Sequence, residues 1–401
     1  MKLPKGYIVN GVNCGIKKDK NDLGIIVSTY PAHCSAAFTT NLLKTDSIKV
    51  SQQHLNKTDS IKVILVNSGC ANTASGPQGY KITLDICSYL AKKFNVKKEQ
   101  TLIASTGVIG VPLPKEKIFS GIDKLHSIVE SGKVDCMNFE KAIMTTDTVP
   151  KIVWQVANIE GKKVSLICFA KGAGMIGPQL RVYPPHATML VFFLSDVNIS
   201  KKISEKILKE KILPHFNSFS IDADMSPNDT IFFCCNSSAN NKKISSTNKS
   251  FEIFAEMAES VSKKIVQKLL FDGEGVTKVS KIIVKSSSDK VARRIFDTVS
   301  SSLLVKTAIY GADPNWGRIL SACGRSGVEI NIDKVNIFIG PYQVVKNGQN
   351  NFIKDNIVRR IMLKKFYEIT IATGDRKSKD YIFYTTDLSK KYVDINSKYK
   401  T

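Results

Sequence analysis

A mixed α/β protein built in layers is what the hydrophobic patterning of this chain predicts, on three observations. Short apolar runs at 61–66, 101–104 and 189–194 have the length of buried strands. Longer stretches between them repeat apolar residues every three or four positions, the signature of helices with one buried face. The two kinds alternate through the first half, an order that stacks helices on sheets.

The strand at 61–66 empties into Asn67-Ser68-Gly69-Cys70-Ala71-Asn72, read as a loop of small polar residues. A helix over 79–94 follows, because Ile82, Ile86 and Leu90 share one stripe. The strand at 101–104 ends at Ser105-Thr106-Gly107, and the next helix carries Ile118, Ile122, Leu125 and Val129. An identical heptapeptide, Lys-Thr-Asp-Ser-Ile-Lys-Val, fills 44–50 and 57–63; repeat architectures need several stacked units, so it is read as a local duplication. The polar, low-complexity stretch 236–250 predicts an exposed connection and a boundary between folding units. Beyond it, Ile253, Met257, Val261 and Ile265 mark one helix, and Val291, Ile295 and Val299 another. Strands are expected at 282–284, 335–340, 366–372 and 381–385.

With 401 residues the chain is long enough for two or three folding units. Its 58 basic residues against 35 acidic ones give a formal charge of +23, a balance that attracts anions of every kind. The lysines are dispersed, however, and the cluster Lys17-Lys18-Asp19-Lys20 is short and broken by an acid, so no nucleic-acid partner is expected. No apolar run is long enough to span a bilayer, and no apolar signal region follows the first residues, so a cytoplasmic protein without a membrane partner is expected. Nine cysteines lack any CxxC pair and five histidines form no cluster; the thiols are read as buried hydrophobes in a reducing compartment, with no metal.

Chemistry-bearing residues sit in glycine-punctuated loops. Thr188 opens the apolar run 189–194. If the bond before it is cut, it carries both a nucleophile and a free amine able to act as its base, whereas intact it is a β-former at the start of a core strand. The Thr106 hydroxyl and Gly107 N–H can together stabilise an oxyanion, or simply form a turn. Met144-Thr145-Thr146-Asp147-Thr148-Val149-Pro150-Lys151 gathers hydroxyls and a carboxylate. Lys171, beside Gly172-Ala173-Gly174-Met175, can neutralise a carboxylate. Glu274, bracketed by Gly273 and Gly275, can pair with an ammonium. Gly311-Ala312-Asp313-Pro314-Asn315-Trp316-Gly317-Arg318 is turn-rich but matches neither a P-loop nor a dinucleotide fingerprint.

In this order the blocks STGVIG, MTTDTVPK, KGAGMI, ATML, FDGEG and GADPNWGRI resemble the ornithine acetyltransferase family, the bifunctional glutamate N-acetyltransferases of arginine biosynthesis, over nearly the whole chain. The resemblance implies a layered α/β/β/α self-processing acyltransferase core with a smaller C-terminal α/β domain. It implies cleavage between Ala187 and Thr188 into an α fragment, 1–187, and a β fragment, 188–401, that assemble two and two as a heterotetramer. Thr188 falls on the nucleophile, and Thr106 and Gly107 on the oxyanion pair. Thr145, Lys171, Glu274, Asn396 and Thr401 fall on substrate-contacting positions. The implied reaction carries acetyl from N2-acetylornithine to glutamate with no cofactor, and acetyl-CoA is a further donor in the bifunctional members.

One departure from the family pattern touches the cleavage point. Between Pro178 and Ala187 stand the eight residues 179–186 where two are usual, and Ala173 replaces the common serine. Two other readings remain open on the sequence: a self-processing aminopeptidase or amidase of related fold, and an unprocessed, catalytically silent relative.

Overall fold

The structure, a computed structural model, describes residues 2–177, 181–182 and 189–398. Ala187, Thr188, Thr401 and the extra segment at 179–180 and 183–186 lie outside the described residues. In chain order the first unit comprises β1 (Tyr7–Val12), β2 (Leu23–Phe38), α1 (Asp46–Lys57), β3 (Ile61–Cys70), α2 (Gly76–Lys93), β4 (Thr101–Val108), α3 (Lys115–Glu130) and α4 (Cys136–Ile143). It continues with β5 (Ile152–Ile159), β6 (Lys162–Lys171), β7 (Arg181–Val182), β8 (Leu190–Ser195), α5 (Lys201–Ile207), α6 (Leu213–Phe216), β9 (Phe219–Ser220), β10 (Thr230–Cys235) and α7 (Lys249–Phe271).

Its strands run in the order β4-β3-β2-β10-β8-β6-β5, with β1 and β7 also paired to β2. The long strand β2 divides its service. Its residues 23–27 pair with β3, and after a register irregularity its residues 33–38 pair with β10. The ladder therefore folds into two sheets packed face to face.

Side-chain alternation shows the layers directly, since successive strand residues point to opposite faces. In β8, Leu190, Phe192 and Leu194 lie in the apolar layer between the sheets, with Ile64 and Val66 of β3 and Leu102 of β4. Val191 and Phe193 face the other way, onto α7 through Phe254, Val261 and Ile265. On the far side, Val63, Leu65 and Ile103 pack under Ile82, Ile86 and Leu90 of α2 and Ile118, Ile122 and Leu125 of α3. Helices, sheet, sheet and helices make the four layers that the resemblance implied. Phe139 of α4 enters the middle layer and meets Phe169 and Phe192 edge-on, with ring centroids 5.0 and 5.7 Å apart.

The second unit is the smaller α/β domain: β11 (Val279–Ser286), α8 (Asp289–Ser300), α9 (Leu303–Gly311), α10 (Trp316–Gly324), β12 (Asn336–Ile339), β13 (Tyr342–Lys346), β14 (Gln349–Asn350), α11 (Asp355–Met362), β15 (Phe366–Ala372), β16 (Lys379–Thr386) and α12 (Lys390–Asn396). Its sheet, ordered β14-β13-β12-β15-β11-β16-β9, recruits β9 from the first unit. Lys306 of α9 is buried here, its ammonium donating to the Thr386 carbonyl at 2.6 Å.

Three expectations need correction. The stretch 236–250 is a largely exposed connection, as expected, but not the boundary: Ala239 and Ile244 are buried, Asn241 exchanges hydrogen bonds with Asn198, and the segment joins β10 to α7 within the first unit. The chain leaves for the second unit only after α7. Asn67 to Cys70 is strand rather than loop, because the parallel ladder with β4 continues through Asn67↔Ser105 and Ser68↔Thr106. Ser105-Thr106-Gly107 likewise stays within β4. All nine cysteines are free thiols, and all but the half-buried Cys136 are buried, as expected of small apolar side chains. Among the described residues no helix is long and apolar enough to cross a membrane.

Phe192→Ala removes a ring from the layer between the sheets and should cost about 3–5 kcal/mol of stability, read from urea unfolding. Lys306 supplies a second test: burial pushes its pKa down to about 8, against the pull of Asp222 and Asp387. The unfolded chain then holds the extra proton between about pH 8 and 10.5, so stability should rise with pH across that window, by an amount on the order of 3 kcal/mol. Lys306→Met should remove that slope; an unchanged slope refutes the assignment.

Candidate active site

The site begins where β3 and β4 end side by side. Gly69 and Gly107 hold φ of 100° and 131°, and a Cβ on Gly107 would stand 2.3 Å from the Gly69 carbonyl carbon. Only glycine fits that approach. Cys70 pairs with both Thr106 and Val108, a bulge that bends the end of β4 while keeping it in the ladder. Polar side chains brace it from behind. The Ser105 hydroxyl donates to Asn67 Oδ1 at 2.6 Å, Asn67 Nδ2 donates to the Cys70 carbonyl at 2.8 Å, and Asn228 Nδ2 donates to the Ser105 carbonyl at 2.7 Å.

Lys171 closes β6 with its side chain buried and its Nζ donating to Thr106 Oγ1 at 3.2 Å. Burial lowers its pKa, while Asp147 pulls the other way. Its strand partner is Leu190, the first residue of β8; Met189 just before is buried, its carbonyl accepting from Thr230 N at 2.5 Å. Glu274 approaches from the turn after α7. Its N–H donates to the Ala173 carbonyl at 2.9 Å, and its carboxylate lies over Gly174, where a Cβ would stand 2.3 Å from Oε2. Asn396 of α12 donates to Glu274 Oε2 at 2.8 Å.

The loop carrying Thr145 is held by charge. Asp147 accepts from Thr145 N at 2.9 Å and Gly172 N at 2.6 Å, and its carboxylate meets Lys151 Nζ at 2.6 Å. Lys151 Nζ also meets Asp272 at 2.5 Å. Burial alone would raise the Asp147 pKa, but Lys171 and Lys151 hold it well below the carboxylate range. Nearby, burial pushes Asp229 well up, with Lys171 opposing, and one of its oxygens has no hydrogen-bond partner among the described residues.

These pieces enclose one cavity of about 180 Å³ lined by Thr106, Gly107, Thr145, Lys171, Glu274 and Asn396. Six of the residues singled out from the sequence thus meet at one place, while Thr188, Ala187 and Thr401 lie outside the described residues. The Gly311–Arg318 stretch does not line it. It ends α9, with Ala312 left-handed at φ 51°, and starts α10. Sequence reasoning missed Asp222, Asp224, Ser226, Asn228 and Tyr392, which also line the cavity. Asp222 accepts from Met175 N and Ile176 N at 2.6 and 2.7 Å and from the Tyr392 hydroxyl at 3.4 Å; burial raises its pKa to about 6. The signal was present in the acid- and amide-rich run 222–229 just before the apolar strand β10, the same pattern of small polar residues at a strand end.

Comparison with known proteins shows which family the chain resembles. The model of the ArgJ family matches residues 8–401. The arginine biosynthesis bifunctional protein ArgJ of Thermotoga neapolitana is 37% identical over 408 residues, covering 100% of both chains. That of Caldanaerobacter subterraneus subsp. tengcongensis is 37% identical over 409 residues, covering 100% of this chain and 98% of its own. The crystal structure of the Bacillus halodurans ArgJ protein is 31% identical over 44% of this chain and 92% of its own, with a TM-score of 0.41. On the full-length match of model and relatives, the chain belongs to the ArgJ family.

Proposed function

We propose that this chain moves an acetyl group from N2-acetylornithine to glutamate through an acetyl ester on Thr188. The observation that carries this reading is the convergence of Thr106, Gly107, Thr145, Lys171, Glu274 and Asn396 on one small cavity in a member of the ArgJ family. The name borne by its relatives, arginine biosynthesis bifunctional protein, supports the same direction.

Cleavage between Ala187 and Thr188 frees an amine next to the hydroxyl. The hydroxyl oxygen attacks the acetyl carbonyl while its proton passes to that amine. The C–N bond breaks, and ornithine leaves with the proton. The neutral amine of glutamate then attacks the ester, the C–O bond breaks, and the Thr188 oxygen recovers a proton. Because Lys171 donates to the Thr106 oxygen, the Thr106 proton stays free to donate to the oxyanion, beside the Gly107 N–H.

Both substrates carry an amino-acid head, so one cavity serves both in turn. Lys171 offers charge to a carboxylate and Glu274 to an ammonium, while Thr145, Asn396 and Thr401 fix orientation. The acetyl cycle uses no cofactor. The working form is two 1–187 and two 188–401 fragments, in the cytoplasm.

Thr188→Ala should remain a single chain on denaturing electrophoresis and lack transfer. In the active protein, donor alone should leave an acetyl adduct on Thr188 by mass spectrometry, and an active protein without that adduct sinks the reading. Thr106→Val, which removes one oxyanion donor, should lower kcat by about 100-fold or more with little change in KM. A KM effect alone would show that Thr106 serves binding instead.

A further inference from the structure

We infer that Lys151 is a positioning residue: its ammonium, seated between Asp147 and Asp272, locks together the three segments that carry Thr145, Lys171 and Glu274. The side chains of Lys151 and Asp147 are wholly buried and that of Asp272 is 3% exposed. Each aspartate hands the lock on to a different part of the site. Asp147 takes the N–H of Thr145 itself and of Gly172, the residue after Lys171. Asp272 takes the N–H and hydroxyl of Thr148 and stands two residues before Glu274.

The backbone of Lys151 is engaged as well. Its N–H donates to Glu140 of α4 at 2.7 Å, and its carbonyl accepts from Ala170 N of β6 at 3.0 Å. One residue therefore ties α4, β6, the threonine loop and the turn after α7. The Lys151 ammonium meets both Asp147 and Asp272, and Lys171 acts on Asp147 from the other side. Without the Lys151 charge, two buried carboxylates share one cation, and a buried charge left uncompensated finds another partner or disrupts its surroundings.

The inference rests on the acetyl-transfer reading for its kinetic arm, so a second arm independent of activity is needed. In Lys151→Met, KM for both N2-acetylornithine and glutamate should rise roughly tenfold or more while kcat stays within about threefold, the pattern of lost substrate positioning. Amide exchange should accelerate roughly tenfold at 144–149 and 271–276 together, and stay unchanged in β8 and β10. Asp272→Asn, which keeps the shape and loses one charge, should show the same two changes at smaller size, and it decides the matter if Lys151→Met does not fold. Unchanged KM values in a folded variant, or exchange that rises equally in β8 and β10, overturns the inference. Wild-type protein that transfers no acetyl sinks the functional reading alone, and the exchange pattern then judges the lock by itself.

Discussion

Burying charge is the constraint on which this site depends. An ammonium or carboxylate taken out of water is stable only with partners of opposite sign or a full set of hydrogen bonds. At one end of the sandwich the protein buries Lys151, Lys171, Asp229, Glu140, Asp272 and Glu274, together with the side chain of Asp147. Most of them have partners drawn from distant sequence, so meeting the electrostatic demand also fixes the relative placement of the strand ends. The exceptions are informative. Among the described residues one oxygen of Asp229 and one of Glu140 have no hydrogen-bond partner, and burial drives both pKa values up, so these two acids are held toward the neutral form.

Much of the architecture was legible because period-two alternation on buried strands is a direct image of layers. Leu190, Phe192 and Leu194 on one face and Val191 and Phe193 on the other are what place one strand between two apolar layers. What alternation cannot convey is where a strand stops. Asn67 to Gly69 and Ser105 to Gly107 lack apolar character, yet they stay in the ladder because neighbouring backbones and a web of buried amides and hydroxyls satisfy them.

The duplicated heptapeptide shows the limit of local reading more sharply. At 44–50, Thr45 caps a helix, its hydroxyl accepting from Ser47 N, and the residues after it enter α1. At 57–63, Lys57 ends that same helix, Thr58 and Ser60 form a turn, and Ile61 to Val63 run as strand. Identical residues take opposite structures because tertiary partners decide between weak preferences. The site residues were legible for a different reason. Their types and glycine neighbours marked strand ends, whereas Tyr392 carried no such mark, because a helical tyrosine looks like any other until the fold brings α12 onto Asp222.

The order of strands carries one last consequence. Strands β8 and β10, which follow residue 188, lie between β2 on one side and β6 on the other, both of which precede it. If the backbone were severed at that point, the later piece would sit clasped inside a sheet whose two flanks belong to the earlier one. Neither could drift off without tearing two hydrogen-bonded seams and opening the apolar interior. The halves would behave in solution as an inseparable pair, exchanging with other copies only on the timescale of global unfolding.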